Sequence, residues 1–88
     1  MVDAAIYCKK RFGDENGRKV LNSMVVRDEK RNQVFLQEAF DYVKELNVKD
    51  FKKAIYAVNA GLKQNKDGNL IFDNQRANEN LLTYNTQV

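Results

Sequence analysis

Lys49, Lys52, Lys53 and Tyr56 recur at intervals of three and four residues, the spacing that gathers side chains on one face of a helix. Advancing 100° per residue adds Ala60 and Lys63 to the stripe and sets it opposite Phe51, Ile55 and Val58. The same exercise upstream groups Glu38, Asp41 and Glu45 on the outer face of a preceding helix. The chemistry open to such stripes is recognition: ammonium groups neutralise phosphates or meet carboxylates, and a tyrosine ring stacks on a base or anchors a protein interface. The acids decide between these partners, because a polyanion lying across both helices would meet three carboxylates. A protein of mixed charge suits the surface better. The plainer reading is that both stripes are solvated faces, where each favourable pair contributes a few tenths of a kcal/mol.

A second basic group comprises Lys9, Lys10, Arg11, Arg18 and Lys19, with Arg27, Lys30 and Arg31. Residues 1–33 hold eight basic and five acidic side chains against seven of each in residues 34–88, so the whole net charge of +3 lies in the first third. This group is the better candidate for DNA or RNA. A helix-turn-helix reading would ask Arg18, Asn22 and Arg27 to reach base edges, although no spacing demands it.

Covalent and metal chemistry find few residues to use. The chain has no His and one cysteine, Cys8, so neither a Cys/His zinc site nor a histidine-activated nucleophile can be assembled. Cys8 lies in an apolar helical context and reads as a small core residue. "KQNKDGNLIFDN" has the glycine of a calcium loop at Gly68, with Asn65 and Asp67 in ligand positions. Lys63 at the first position and Asn74 at the twelfth replace the carboxylates such a loop needs, and a helix-ending turn built on Asp67-Gly68 accounts for the residues. "GDENG" would repel phosphate, and Glu38, Asp41 and Glu45 stand on a wet face with nothing to tune them for acid–base work. The expectation is a non-enzyme with no cofactor and no metal.

The elements that must position these groups follow from periodicity. Residues 4–12 read as a short helix between Asp3 and Gly13, with Lys9, Lys10 and Arg11 complementing the dipole. The rival is a strand that turns at "GDENG" into a second strand around Val20 to Val26. Val20, Leu21, Met24 and Val25 continue at helical spacing over 18–28, although Met24-Val25-Val26 alone would suit a strand, and DEKRNQ, 28–33, is a turn. The clearest helix is 33–46, with Phe35, Leu36, Ala39, Phe40, Val43 and Leu46 on one face. Asn47 ends it and caps the next helix, 48–62, with Asp50 three residues on as in a capping box. Gly61 is either interior to that helix or its C-terminal stop. NLIF then reads as a short buried strand, followed by a helix around Ala77–Leu82 and a frayed tail over 83–88. The tyrosines, Tyr7, Tyr42, Tyr56 and Tyr84, fall at helix-face boundaries or in the tail. No internal repeat is legible.

The expected fold is one small, mainly α domain over 1–88. It has four to five short helices centred on an antiparallel helical hairpin, with an α+β arrangement containing a minor β-hairpin or strand as the alternative. With 43% hydrophobic residues, four tyrosines and five phenylalanines, the chain can fill a single core. One cysteine, no long apolar run and an acidic N-terminal segment predict a cytoplasmic protein with no membrane contact.

These observations predict a non-enzymatic protein-binding module, regulatory or inhibitory, that occupies a partner's surface through Lys49, Lys52, Lys53, Tyr56, Glu38, Asp41 and Glu45. The alternative is a nucleic-acid-binding regulator using the basic first third. A third reading is a homodimer in which acidic and basic stripes face each other. Abundant Asn and Lys in so short a chain would also suit a protein carried by a phage or other mobile element.

Overall fold

The structure, a computed structural model, describes residues 2–86, with side chains described as far as Leu81. It is mainly α: five helices and two antiparallel strand pairs follow one another as α1 (Val2–Phe12), α2 (Asp14–Ser23), β1 (Val25–Arg27), β2 (Gln33–Phe35), α3 (Gln37–Leu46), α4 (Phe51–Gly61), β3 (Leu62–Gln64), β4 (Leu70–Phe72) and α5 (Asn74–Thr86). Among the described residues no helix is long and apolar enough to cross a membrane.

The helical reading holds as far as Ser23, and the rival of two strands joined at "GDENG" does not. Gly13 ends α1 at φ 95°, where its N–H donates to the Lys9 carbonyl at 2.9 Å, and "GDENG" begins α2 with Asp14 and Glu15 in the first turn. The glycine at 17 then lets α1 and α2 meet closely, because a Cβ there would stand 2.5 Å from the Cys8 carbonyl oxygen. That helix stops at Ser23, five residues before the end of the helical stretch read over 18–28, since Val25 and Val26 pair with Phe35 and Val34. Residues 33–35 are therefore strand, and the helix expected over 33–46 begins at Gln37. Phe35 and Leu36 fit either period, and the β-branched partners across the turn decide for the strand.

Asn47 does terminate α3, in the left-handed conformation at φ 55°. It does not cap the next helix: Asp50 is the N-cap, accepting from the Lys52 N–H at 2.9 Å, so α4 starts at Phe51 rather than 48. It stops at Gly61, and Leu62 and Lys63 belong to β3. Gly61 makes room for the Phe72 ring, which occupies the place a Cβ would take. NLIF supplies β4, which is only partly buried, with Phe72 inside and Ile71 exposed, while α5 runs to Thr86, beyond the short helix read at 77–82. Residues 87 and 88 of the expected tail lie outside the described residues.

Helix α4 sits at the centre, packed on α5, α2 and α3 through Ala54, Ala57, Val58 and Ala60, whose small side chains let several neighbours approach at once. Met24, Val20, Val43, Val58 and Cys8 are the largest fully buried side chains among the described residues. Phe40 packs against the Tyr7 ring edge-on at 5.6 Å, and Tyr42 lies 5.3 Å from Phe72.

An internal repeat does exist. The order helix, hairpin, helix occurs twice, and the second copy follows the first at an offset of 37 residues. Asp28 N–H donates to the Asn32 carbonyl at 3.0 Å and Arg31 N–H to the Asp28 carbonyl at 2.9 Å. Asn65 N–H donates to the Asn69 carbonyl at 2.9 Å and Gly68 N–H to the Asn65 carbonyl at 3.1 Å. The side-chain bonds repeat as well. Asp28 Oδ1 accepts from the N–H groups of Lys30 and Asn32, and Asn65 Oδ1 accepts from those of Asp67 and Asn69. Arg31 and Gly68 occupy the same left-handed position, at φ 64° and 85°. Each turn is a three-residue hairpin loop whose last residue is left-handed. The resemblance is hidden in sequence because Asp28/Asn65 and Arg31/Gly68 do the same work with different residues.

Candidate functional site

Four surface features can be weighed. On α4, Lys52 is exposed, Lys53 half-buried and Tyr56 38% exposed, so these three do share an outward face. Lys49 is exposed beside them in the loop before the helix rather than on it. Ala60 is buried, with its carbonyl accepting from Asn80 Nδ2 at 2.7 Å, and Lys63 lies on β3, where its ammonium stands 3.9 Å from Asp73. The stripe is thus shorter than the helical projection implies, because α4 ends at Gly61.

The acidic stripe stands as expected. Glu38, Asp41 and Glu45 are all exposed on α3, with Gln37 Nε2 donating to Asp41 at 3.1 Å. Among the described residues no ion pair joins these acids to Lys49, Lys52 or Lys53. Both sets keep their charge for solvent or for a partner.

The N-terminal basic group is dispersed over three elements, and several members have intramolecular work. Arg11 donates to the carbonyls of Val48 at 3.0 Å and Asn47 at 2.8 Å and to Asn47 Oδ1 at 2.7 Å, closing the end of α3. Lys9 stands 3.7 Å from Asp14, Lys19 lies over the Phe51 ring at 5.7 Å, and the Arg27 guanidinium donates to the Arg31 carbonyl at 2.9 Å. Lys10, Arg18, Lys30 and Arg31 are exposed.

The fourth feature escaped the sequence reading. Between the hairpins runs an apolar groove made of two adjacent hollows of about 300 and 270 Å³ that share Leu36 and Ile71 in their linings. Val34 and Ile71, which hold equivalent places in the two copies, are each 38% exposed there. The hairpins touch at one end, where Glu29 N–H donates to Asn69 Oδ1 at 3.2 Å. The signal available beforehand was the alternation Val26, Val34 and Leu36 across the DEKRN turn, which the helical assignment of 33–46 concealed.

Cys8 is fully buried, and desolvation raises its thiol above the ordinary value of 9.0, which keeps it protonated and unreactive. Of the tyrosines, Tyr42 is buried rather than at a boundary, with its hydroxyl donating to Asn78 Oδ1 at 2.5 Å. The side chain of Tyr84 lies outside the described residues. Asn65, Asp67 and Gly68 form a hairpin turn between β3 and β4, not the end of a helix, and the Asn65 oxygen is taken up by backbone N–H groups. Comparison with protein-family models, with curated proteins and with solved structures found no match to this chain.

Proposed function

We propose that this chain is a non-enzymatic protein-binding module, regulatory or inhibitory in kind, that acts by occupying a partner's surface. The observation that carries the reading is the contrast in how its charges are used. Arg11, Lys9, Lys19 and Arg27 of the first third are engaged within the molecule. Lys49, Lys52 and Lys53 on one side and Glu38, Asp41 and Glu45 on the other are joined by no ion pair. Unpaired charges of both signs favour a partner whose own pattern is mixed. Burial of the Cys8 thiol and the absence of His remove the usual histidine-activated nucleophiles, which supports the non-enzymatic reading.

A nucleic-acid regulator is the second reading, resting on the exposed Lys10, Arg18, Lys30 and Arg31. Binding to mixed duplex DNA and to single-stranded RNA at about 50 and 200 mM salt separates the two, since phosphate contacts lose orders of magnitude in affinity over that range. Absence of binding at both salts, together with partner capture from the native cell that Lys52→Glu/Lys53→Glu abolishes, is the outcome expected of the protein-binding reading. Tight, salt-sensitive nucleic-acid binding would replace it.

A further inference from the structure

The groove between the hairpins carries an inference that rests on the protein-binding reading and extends it to a second contact surface. Its apolar lining is Val26, Val34, Leu36, Leu70 and Ile71, with Phe35 at the α3 end. Isolated exposed aliphatic side chains need no explanation, but here equivalent residues of the two repeats, Val34 and Ile71, line one continuous hollow.

The charges that line the groove have one sign. Asp28 lines one end and Glu38 the other, and the lining contains no Lys or Arg. The backbone bonds of Asp28 use Oδ1, leaving its second oxygen out of them. Beyond Glu38 the acidic line continues along α3 as Asp41 and Glu45, both exposed. Of the nearby cations, alternation places Arg27 on the opposite face of its hairpin from Val26 and Val34, whereas Lys63 shares the face of its partner Ile71 but lies outside the lining, its ammonium 3.9 Å from Asp73. A second copy's groove, a nucleic acid or an anionic lipid surface would each bring negative charge to these carboxylates.

Hydrogen bonding specifies the form of the occupant. Bonds at Asp28–Asn32 and from Leu36 to Met24 fix Val26–Val34 as a hydrogen-bonded pair, so Gln33 and Phe35 turn their N–H and C=O groups to the outer edge of β2. Phe35 also lines the groove. An edge with free backbone groups beside apolar hollows is the arrangement that takes an added strand.

We infer that the groove between the two hairpins receives an extended apolar segment of a partner protein that carries basic residues at both ends. Alternate side chains of the segment enter the two hollows, its backbone pairs with the edge of β2, and its basic ends meet Asp28 and the Glu38–Asp41–Glu45 line. The surface then has two working parts, the groove with its acidic shoulder and the lysine face of α4.

The test is titration of the full chain with the labelled peptide KKVTVTVKK, with EEVTVTVEE and KKSTSTSKK as controls, followed by fluorescence anisotropy and by amide chemical shifts. The expected result is micromolar binding of the first peptide, weaker by about tenfold or more, or 1.4 kcal/mol, for each control and for Ile71→Asp, Val34→Asp or Glu38→Lys. Unchanged circular dichroism shows that the variants fold, and Arg76→Gln, at an exposed residue of α5 outside both surfaces, should bind the peptide as the parent does. No binding up to about 1 mM, equal binding of all three peptides, or shifts confined to α4 would overturn the inference. A concentration-dependent mass of the peptide-free protein that Ile71→Asp abolishes would also overturn it, by making the occupant a second copy. Loss of the inference alone leaves partner capture intact and sensitive to Lys52 and Lys53. Loss of the protein-binding reading removes capture as well.

Discussion

Arg11 satisfies three acceptors at the end of α3 with one guanidinium, two of them backbone carbonyls that the helix itself cannot bond. Arg11→Ala should therefore cost about 1–3 kcal/mol, read as a lower urea midpoint at unchanged slope. Arg11→Lys should recover only part of it, because an ammonium lacks the planar fork. Gly17 has a comparable role made of space. Ala is the better helix former by about 1 kcal/mol, yet at this position its methyl would meet the Cys8 carbonyl, a backbone atom that cannot swing aside. Gly17→Ala should lower the thermal midpoint despite the gain in propensity, and a higher midpoint would show that α1 and α2 separate easily. Neither role is legible in sequence, where Arg11 looks like one cation of a basic run and Gly17 like half of a "GDENG" loop.

At the scale of elements, the twin hairpins supply an internal control. Both turns require a left-handed residue; the second uses Gly68, which adopts it freely, and the first uses Arg31, which does not. Arg31→Gly should stabilise by roughly 0.5–1 kcal/mol after the added freedom of the unfolded chain is counted, and its carbonyl remains to accept from Arg27. Gly68→Ala should destabilise by about 1 kcal/mol, and denaturant melts of the two variants moving in the same direction would contradict the equivalence of the turns. The helices were legible because their apolar faces and stops are local: Gly13 and Asn47 end α1 and α3 where the sequence says they should. The strands of the first hairpin were legible only as an alternative at Met24-Val25-Val26, because a three-residue strand spans too little of either period, and the pairing of Val26 with Val34 that decides it is a tertiary fact. Of the candidate surfaces, the acidic stripe could be read outright, since all three carboxylates lie within one uninterrupted helix. The lysine stripe was overextended at both ends, where the helix was taken as longer than it is, and the groove was invisible because it needs two hairpins set side by side.

Among the described residues the buried interior of the molecule holds two ionisable groups that must stay neutral, Cys8 and Tyr42, and this sets its behaviour in alkali. Burial raises the Cys8 thiol, and burial with the nearby Glu45 carboxylate raises the Tyr42 phenol, from ordinary values of 9.0 and 10.0. In the unfolded chain both ionise at their ordinary values, so above pH 9 the unfolded state binds fewer protons than the folded state. Stability from this source is complete below those values and is lost as the pH rises through the higher folded ones, with a limit of about 1.4 kcal/mol per pH unit for each group. The thermal midpoint should hold near neutrality and fall progressively above pH 9. Cys8→Ala removes the first group to titrate, and although losing the sulfur from a filled interior lowers the midpoint at pH 7, the decline between about pH 9 and 10 should become shallower than in the parent. The comparison is between slopes, which cancels the packing cost. Parallel pH profiles for parent and variant would mean that the thiol meets water in the folded state, and the close seating of α1 on α2 over Cys8 would have to be given up.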